Sequence, residues 1–424
     1  MKIAVMADLH LNKTVYKVMD RKNPQLPFRN VDFMNSFEYM VNQCVNAIKP
    51  DLLVIGGDVY DKCYFPSNEI RGFFSSQLSK LAIAKIPVII LIGNHDISKK
   101  SHALQDIGEL KLKNIVVIEK PTITSFKDTQ LFIFPYSLDV EQKKKTIKED
   151  FMDFVKEIHA KKNDKPSIFF GHFGVKGATI NQYSGDEEIE GEETETKTTT
   201  TTIKKDYKNR SVNDISCDDL DSIGADYVIL GDYHKHQILP THKCIAMYPG
   251  SIEKTSFSEI DQDKGFVVYD SEQEVKGKMG KCSFIKYPNC RPMLELKGNF
   301  MDMKNAFNKV DCKEYQDAVV KFTYTGKSSE LIDFQTGEEA FKKEIREKLN
   351  PINIDVINKA KDDKQEEATQ LEQNIMENGH FSNEDVIDAV REMTKERIKD
   401  EKEMQLTIDL ADEIYNETIE MVGK

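Results

Sequence analysis

No apolar stretch in this 424-residue chain approaches the roughly 20 residues that span a bilayer, so no transmembrane helix is expected. The seven cysteines, at 44, 63, 217, 244, 282, 290 and 312, contain no C-x-x-C pair and share no spacing typical of metal ligands. That pattern argues against a thiolate zinc site and a disulfide framework, with Cys282 and Cys290 as the one pair left open. It points to reduced thiols in the cytoplasm, or in the nucleoid or host cytoplasm if the chain is viral. Basic charge is scarce as well: 59 Lys and Arg stand against 72 Asp and Glu, a net charge of −13. Short clusters such as Lys143 with Lys144 and Lys145, Lys161 with Lys162, and Lys204 with Lys205 read as solvated faces rather than a stripe that grips phosphates. Much of the acid falls in two places, residues 186–195 and the stretch from 366 onwards. A leader peptide is not expected either, because the apolar run 3–7 leads straight into the first candidate functional residue.

What the chain does have is five short polar motifs in order: Asp8-Leu9-His10, Gly57-Asp58, Gly93-Asn94-His95-Asp96, Gly171-His172 and Gly231-Asp232-Tyr233-His234. Each ends an apolar run that reads as a buried strand, at 3–7, 52–55, 88–92, 168–170 and 227–230. Every cluster therefore sits where a strand stops, the edge at which α/β sheets collect ligands. An Asp near a His, or a Gly-Asp pair, is by itself a common cap or turn. The ordered set carries the inference.

Two cations about 3.5–4 Å apart clamp a phosphate and its attacking hydroxide when a carboxylate bridges them and neutral nitrogen or oxygen ligands fill the other positions. Asp58 is the expected bridge. Asp8, His10, Asp58 and His234 are expected to hold one ion, and Asp58, Asn94, His172 and Asp232 the other. These mixed shells contain no thiolate and suit two manganese ions, with magnesium or iron as substitutes, better than a closed structural zinc. The departing oxygen also needs a proton, and a histidine titrating near neutrality is a natural donor, which singles out His95. Its neighbour Asp96 either orients that ring or caps the loop.

On these motifs the chain resembles the calcineurin-like metallophosphoesterase superfamily, and within it the SbcD-type nuclease subunit of the double-strand-break repair nuclease and ATPase complex, phage versions included. Further support lies in Gly57-Asp58-Val59-Tyr60-Asp61, in Tyr248-Pro249-Gly250-Ser251-Ile252-Glu253, and in Lys264-Gly265-Phe266-Val267-Val268. The likeness covers about residues 1–295. The resemblance implies an αββα sandwich, the same proton-donor role for His95, and a second-shell place for Asp61 near the leaving group. It implies exonuclease action on duplex ends and endonuclease action on single strands, in DNA repair and recombination. One departure stands out: the family's usual last motif is Gly-His-x-His, and Asp232 replaces its first His. A carboxylate there adds negative charge and tilts the site towards manganese or magnesium. A rival alignment takes His234 and His236 as the ligand pair and leaves Asp232 in a turn.

The expected architecture is α/β: a four-layer αββα sandwich with a small α/β capping domain and a C-terminal helical tail. The catalytic domain spans 1–280, with helical periodicity at 32–48 and 67–81. Residues 183–211, acidic and then threonine-rich, read as a disordered insertion. The cap spans 281–358, with strands at 291–296, 318–324 and 352–357 and a helix at 337–349; the resemblance implies that it helps place DNA. Residues 359–380 read as a linker. In the tail, 381–424, Ser382 and Asp385 form a helix start before Val386, Ala389, Val390 and Met393, and a second helix carries Leu406, Leu410, Ala411 and Ile414. Two such helices suit docking in a groove of another chain, or packing on their own domain. The resemblance implies that the partner is a coiled-coil SbcC-type ATPase, in a two-plus-two assembly with a homodimer of the nuclease subunit. Two other functions stand as alternatives. The site chemistry alone permits a small-molecule phosphodiesterase or phosphatase equally, but cap and tail argue against it, and a non-catalytic scaffold has no use for His95.

Overall fold

The computed structural model describes residues 1–360 apart from 17, 64–65, 99, 110–113, 180–214 and 276. The insertion 183–211, the tail 381–424 and all but the first two residues of the linker lie outside the described residues. The strands are β1 (Lys2–Met6), β2 (Leu52–Ile55), β3 (Val88–Leu91), β4 (Ile115–Ile118), β5 (Thr122–Phe126), β6 (Thr129–Phe134), β7 (Ser167–His172), β8 (Tyr227–Gly231), β9 (Gln237–Ile238), β10 (Ile245–Tyr248), β11 (Gly265–Asp270), β12 (Cys282–Lys286), β13 (Met293–Gly298), β14 (Val319–Tyr324) and β15 (Asn353–Asn358). The helices are α1 (Phe28–Gln43), α2 (Asn68–Ile83), α3 (Gln105–Glu109), α4 (Leu138–Glu141), α5 (Ile147–Lys161), α6 (Cys217–Ile223), α7 (Phe300–Phe307) and α8 (Leu331–Leu349).

Two six-stranded sheets form the body. The first runs β12-β11-β1-β2-β3-β4, with β1 to β4 parallel and the other two strands antiparallel; the second runs β5-β6-β7-β8-β10-β9, with parallel strands from β6 to β10 and antiparallel strands at both edges. Strand alternation sets the layers. Ile3, Val5, Leu52 and Val54 face the other sheet and pack with Leu131, Ile133, Ile168, Phe170 and Ile229. Their neighbours Ala4, Met6, Leu53 and Ile55 point the opposite way, against Phe33 and Phe37 of α1 and Phe74 and Leu78 of α2. Phe132, Phe134, Phe169 and Val228 on the outer face of the second sheet pack with Phe151, Phe154 and Ile158 of α5 and Leu220 of α6. The result is the helix, sheet, sheet, helix sandwich. Central strands buried on both faces explain why their sequences read as unbroken apolar runs.

Helix ends follow local chemistry. Pro27 precedes α1, which passes into a π-helical turn over Cys44–Ile48 and stops at Lys49 in a left-handed conformation (φ 49°). The Ser67 hydroxyl accepts from the Ile70 N–H at the start of α2. A capping box of Thr146 and Glu149 opens α5, a helix absent from the elements expected above.

The described residues divide into two compact units. The first comprises Met1–Glu295, Asp311–Lys321 and Ile345–Asp355, and the second Leu296–Val310, Phe322–Glu344 and, of the described residues, 356–360. A third sheet runs β13-β14-β15. In the second unit Phe300, Phe322, Phe334 and Phe341 form an aromatic cluster, and α7 opens on an Asn299–Asp302 capping box. Here α8 starts at Leu331 rather than 337. Gly337 lies inside the helix, where a Cβ would come within 2.3 Å of the Phe300 ring, so it serves close packing rather than helix initiation. Among the described residues no helix is long and apolar enough to cross a membrane, and all seven cysteines are free of disulfides.

Candidate metal centre

The five motifs meet at one edge of the sandwich because β1, β2 and β3 are parallel neighbours in one sheet, and β7 and β8 are parallel neighbours in the other. Loops after β1 and β2 are stitched together by Asp8 N–H to Gly57 O (3.2 Å) and His10 N–H to Asp58 O (3.0 Å). Four non-glycine motif residues occupy positive φ: Asp8 at 53°, His10 at 42°, Asp58 at 51° and Asp232 at 106°. Non-glycine residues held there cost of order 1–3 kcal/mol each, and such strain concentrates at functional sites. Glycines supply the close approaches. A Cβ on Gly93 would lie 2.1 Å from Asp58 Oδ1, and one on Gly231 would lie 2.3 Å from Gly56 O.

The side chains converge. His10 Nε2 lies 3.1 Å from His234 Nε2, His172 Nε2 lies 3.3 Å from Asp58 Oδ1, and the same nitrogen lies 2.9 Å from Asn94 Oδ1. Asp8, His10 and His234 each offer a ligand atom within 4.8 Å of the other two; so do Asp8, Asp58 and His172, and so do His10, Asp58 and His95. The Asp232 N–H donates to Asp8 Oδ1 at 3.0 Å, and the Asp232 carboxyl belongs to the same electrostatic neighbourhood. His236 goes elsewhere: its Nδ1 meets the Tyr248 carbonyl at 2.8 Å and its ring stacks on Phe284 with centroids 4.2 Å apart.

The electrostatics are those of a buried acidic nest. Burial pushes the Asp8 and Asp232 carboxyls up from their ordinary range. Burial opposes charge on Asp58 too, but the His172 and His95 rings hold it well below that range. His10 is pushed down to about 4 by burial, whereas burial of His172 is outweighed by Asp58, which lifts it to about 10. Asp8 Oδ2 is buried with no hydrogen-bond partner, an uncompensated acceptor that costs free energy unless a cation meets it. The carboxylates and imidazoles brought together here, with the Asn94 amide beside His172, form a donor set that fits divalent metal ions.

His95 and Asp96 separate in role. The Asp96 carboxylate, fully buried, accepts from the backbone N–H of Gly93 (3.0 Å), Val59 (3.2 Å) and Tyr60 (2.9 Å), so it ties the loop after β3 to the loop after β2. The His95 ring is held instead by the Asp61 carbonyl, 2.6 Å from Nδ1. The Asp61 carboxylate faces His10 Nδ1 at 3.3 Å and Lys13 Nζ at 3.1 Å, so this residue supports a ligand candidate and the candidate acid at once. Three residues that no motif singled out for a role also line the centre. Glu259 lies 3.0 Å from His234 Nδ1, Thr255 lies 3.1 Å from the same atom, and the buried Lys264 lies 2.7 Å from Glu259. Lys264 stood within a run that carried the family resemblance, but nothing in its spacing links it to a histidine 30 positions earlier.

Fold and site together define a metallophosphoesterase, a metal-dependent hydrolase of phosphate esters. Residues 1–236 match the calcineurin-like phosphoesterase family, and the chain belongs to it. It is 26% identical over 329 residues to an SbcD protein, one component of the SbcCD nuclease, of Staphylococcus epidermidis, covering 72% of this chain and 74% of that protein. With the same component from Staphylococcus saprophyticus the identity is 24% over 322 residues, covering 71% and 73%. A DNA double-strand break repair protein of Methanococcus maripaludis is 32% identical over 111 residues, 26% of this chain and 27% of that one.

Proposed function

We propose that this chain is a manganese-dependent DNA nuclease, an exonuclease on double-stranded ends and an endonuclease on single strands, acting in DNA repair and recombination. The observation that carries the reading is the convergence of Asp8, His10, Asp58, His172 and His234 on one buried edge, in a chain that shares nearly three quarters of its length with two nuclease components. In this reading Asp8, His10, Asp58 and His234 hold one cation, and Asp58, Asn94, His172 and Asp232 hold the second. When bound, the pair supplies Lewis-acid charge for the phosphate and lowers the pKa of water. The residues of the chain do the rest. Asp58 lies between both ligand groups, and the Asp61 carbonyl on Nδ1 of His95 leaves Nε2 to hand a proton to the departing sugar oxygen. Asp61 also steadies His10, and Asp96 keeps the His95 loop in register with Asp58.

Residues 281–358 act as the cap that helps place DNA, and the segment 381–424 recruits a coiled-coil SbcC-type ATPase to a homodimer of nuclease subunits. The names of the staphylococcal relatives support that partner. A net charge of −13 supports weak intrinsic affinity for DNA and help from a second protein. Incubation of the purified chain with linear duplex DNA, single-stranded circles and a generic phosphodiester dye, under manganese, magnesium and chelator, tests the reading. DNA degradation with manganese and none with chelator is expected. Dye turnover without any DNA cleavage would replace the nuclease by a small-molecule phosphodiesterase.

A further inference from the structure

Each of the two histidines assigned to the first cation position, His10 and His234, is backed on its far nitrogen by a carboxylate, and each carboxylate by a buried lysine. His10 leads to Asp61 and Lys13; His234 leads to Glu259 and Lys264. His172, assigned to the second position, has no such chain, since its Nδ1 meets the neutral Gly56 carbonyl at 2.7 Å. The His234 branch is fully satisfied. Glu259 Oε1 accepts from the Thr255 hydroxyl (2.5 Å) and lies 3.0 Å from His234 Nδ1, while Oε2 accepts from the Thr255 N–H (2.8 Å) and pairs with Lys264. Lys264, 1% exposed, also donates to the His234 carbonyl (2.9 Å), to Ser251 Oγ (2.9 Å) and to Gln262 Oε1 (3.1 Å). The one ammonium therefore grips both the carboxylate behind the His234 ring and the backbone of His234 itself.

A buried ion pair is a poor way to stabilise a fold, since an apolar pair of similar volume does as well or better. A carboxylate on the outer nitrogen of a ligating imidazole has a different use: it fixes the tautomer and ring plane and raises ligand basicity. We propose that Glu259, anchored by Lys264, is a positioning residue that holds His234 Nε2 towards His10, so that the first cation position depends on it and the second does not. The proposal rests on the two-cation reading above and adds an inequality between the two positions.

Manganese titration of the full-length chain followed by electron paramagnetic resonance counts bound ions and their affinities independently of turnover. The wild type is expected to bind two. Because Glu259→Ala alone strands a buried ammonium, the informative variant is Glu259→Ala with Lys264→Met, which removes both charges. It should weaken one of the two ions by about 10–100-fold and leave the other unchanged. Glu259→Gln with Lys264→Met restores an uncharged acceptor for Nδ1 and should recover part of that loss. Melting of the metal-free variants separates folding from positioning. Equal weakening of both ions in step with a lower melting temperature would make the pair merely structural, and two ions at wild-type affinity in the alanine and methionine variant would remove Glu259 from the site. A wild type that binds no manganese overturns the two-cation reading itself, a distinct result.

Discussion

At the residue scale the centre separates groups that touch the reacting atoms from groups that hold them. His95 belongs to the first kind in the proposed reaction. His95→Gln should lower single-turnover DNA cleavage by about 10²–10⁴-fold, the usual worth of a positioned acid, while manganese stoichiometry stays at the wild-type value. Unchanged turnover would assign the proton to another group. Asp232 and His236 discriminate the two alignments of the last motif. Asp232→Ala should abolish cleavage, and His236→Ala should leave most of it, since that ring stacks on Phe284 and meets the Tyr248 carbonyl. The reverse pattern in the same assay would move the ligand pair two positions on.

At the element scale, loops are fixed by buried carboxylates that take backbone N–H groups. Asp96 joins the loops after β2 and β3. At the far end of the second sheet, Asp221 of α6 accepts from His242 (2.8 Å), Lys243 (2.7 Å) and Cys244 (3.2 Å) just before β10. Burial opposes its charge, but those three N–H groups win and hold the carboxyl below 3.8. A depressed folded pKa contributes stability that is complete above the unfolded value and lost as pH falls through the folded one. Asp221→Asn should therefore destabilise by roughly 1–3 kcal/mol at neutral pH. The gap from wild type should narrow as pH drops below about 4. Denaturant unfolding of both proteins at pH 7 and pH 3 measures it, and a gap that stays constant would show that Asp221 is not the titrating group.

At the scale of the whole molecule, the proposed assembly divides its work between a metal-bearing sandwich and a segment that recruits the partner. Truncation after residue 380 should spare manganese-dependent cleavage and abolish co-purification with a co-expressed SbcC-type ATPase. Retained co-purification would transfer that role to residues 1–380. The net charge of −13 belongs to this scale too: in the proposed assembly, a subunit that meets DNA beside a partner does not need a basic stripe of its own.

The linear chain settled whatever depends on short-range pattern. Apolar runs followed by Asp, Asn and His located five strands and their loops, and those residue types limited the ions to ones that accept oxygen and nitrogen. Helix 67–81 was legible from its spacing. Three-dimensional proximity decided the remainder. Nothing local relates Glu259 to His234 or Lys13 to Asp61, and whether Asp96 serves its neighbouring ring or the backbone of Val59 and Tyr60 depends on where another strand's loop arrives. Positive φ at Asp8, His10, Asp58 and Asp232 is likewise a consequence of loops forced together, at residue types whose own preference is for negative φ. Strand periodicity is written within a few residues, whereas the environment of a ligand is built by side chains more than 200 positions apart, as His10 and His234 are.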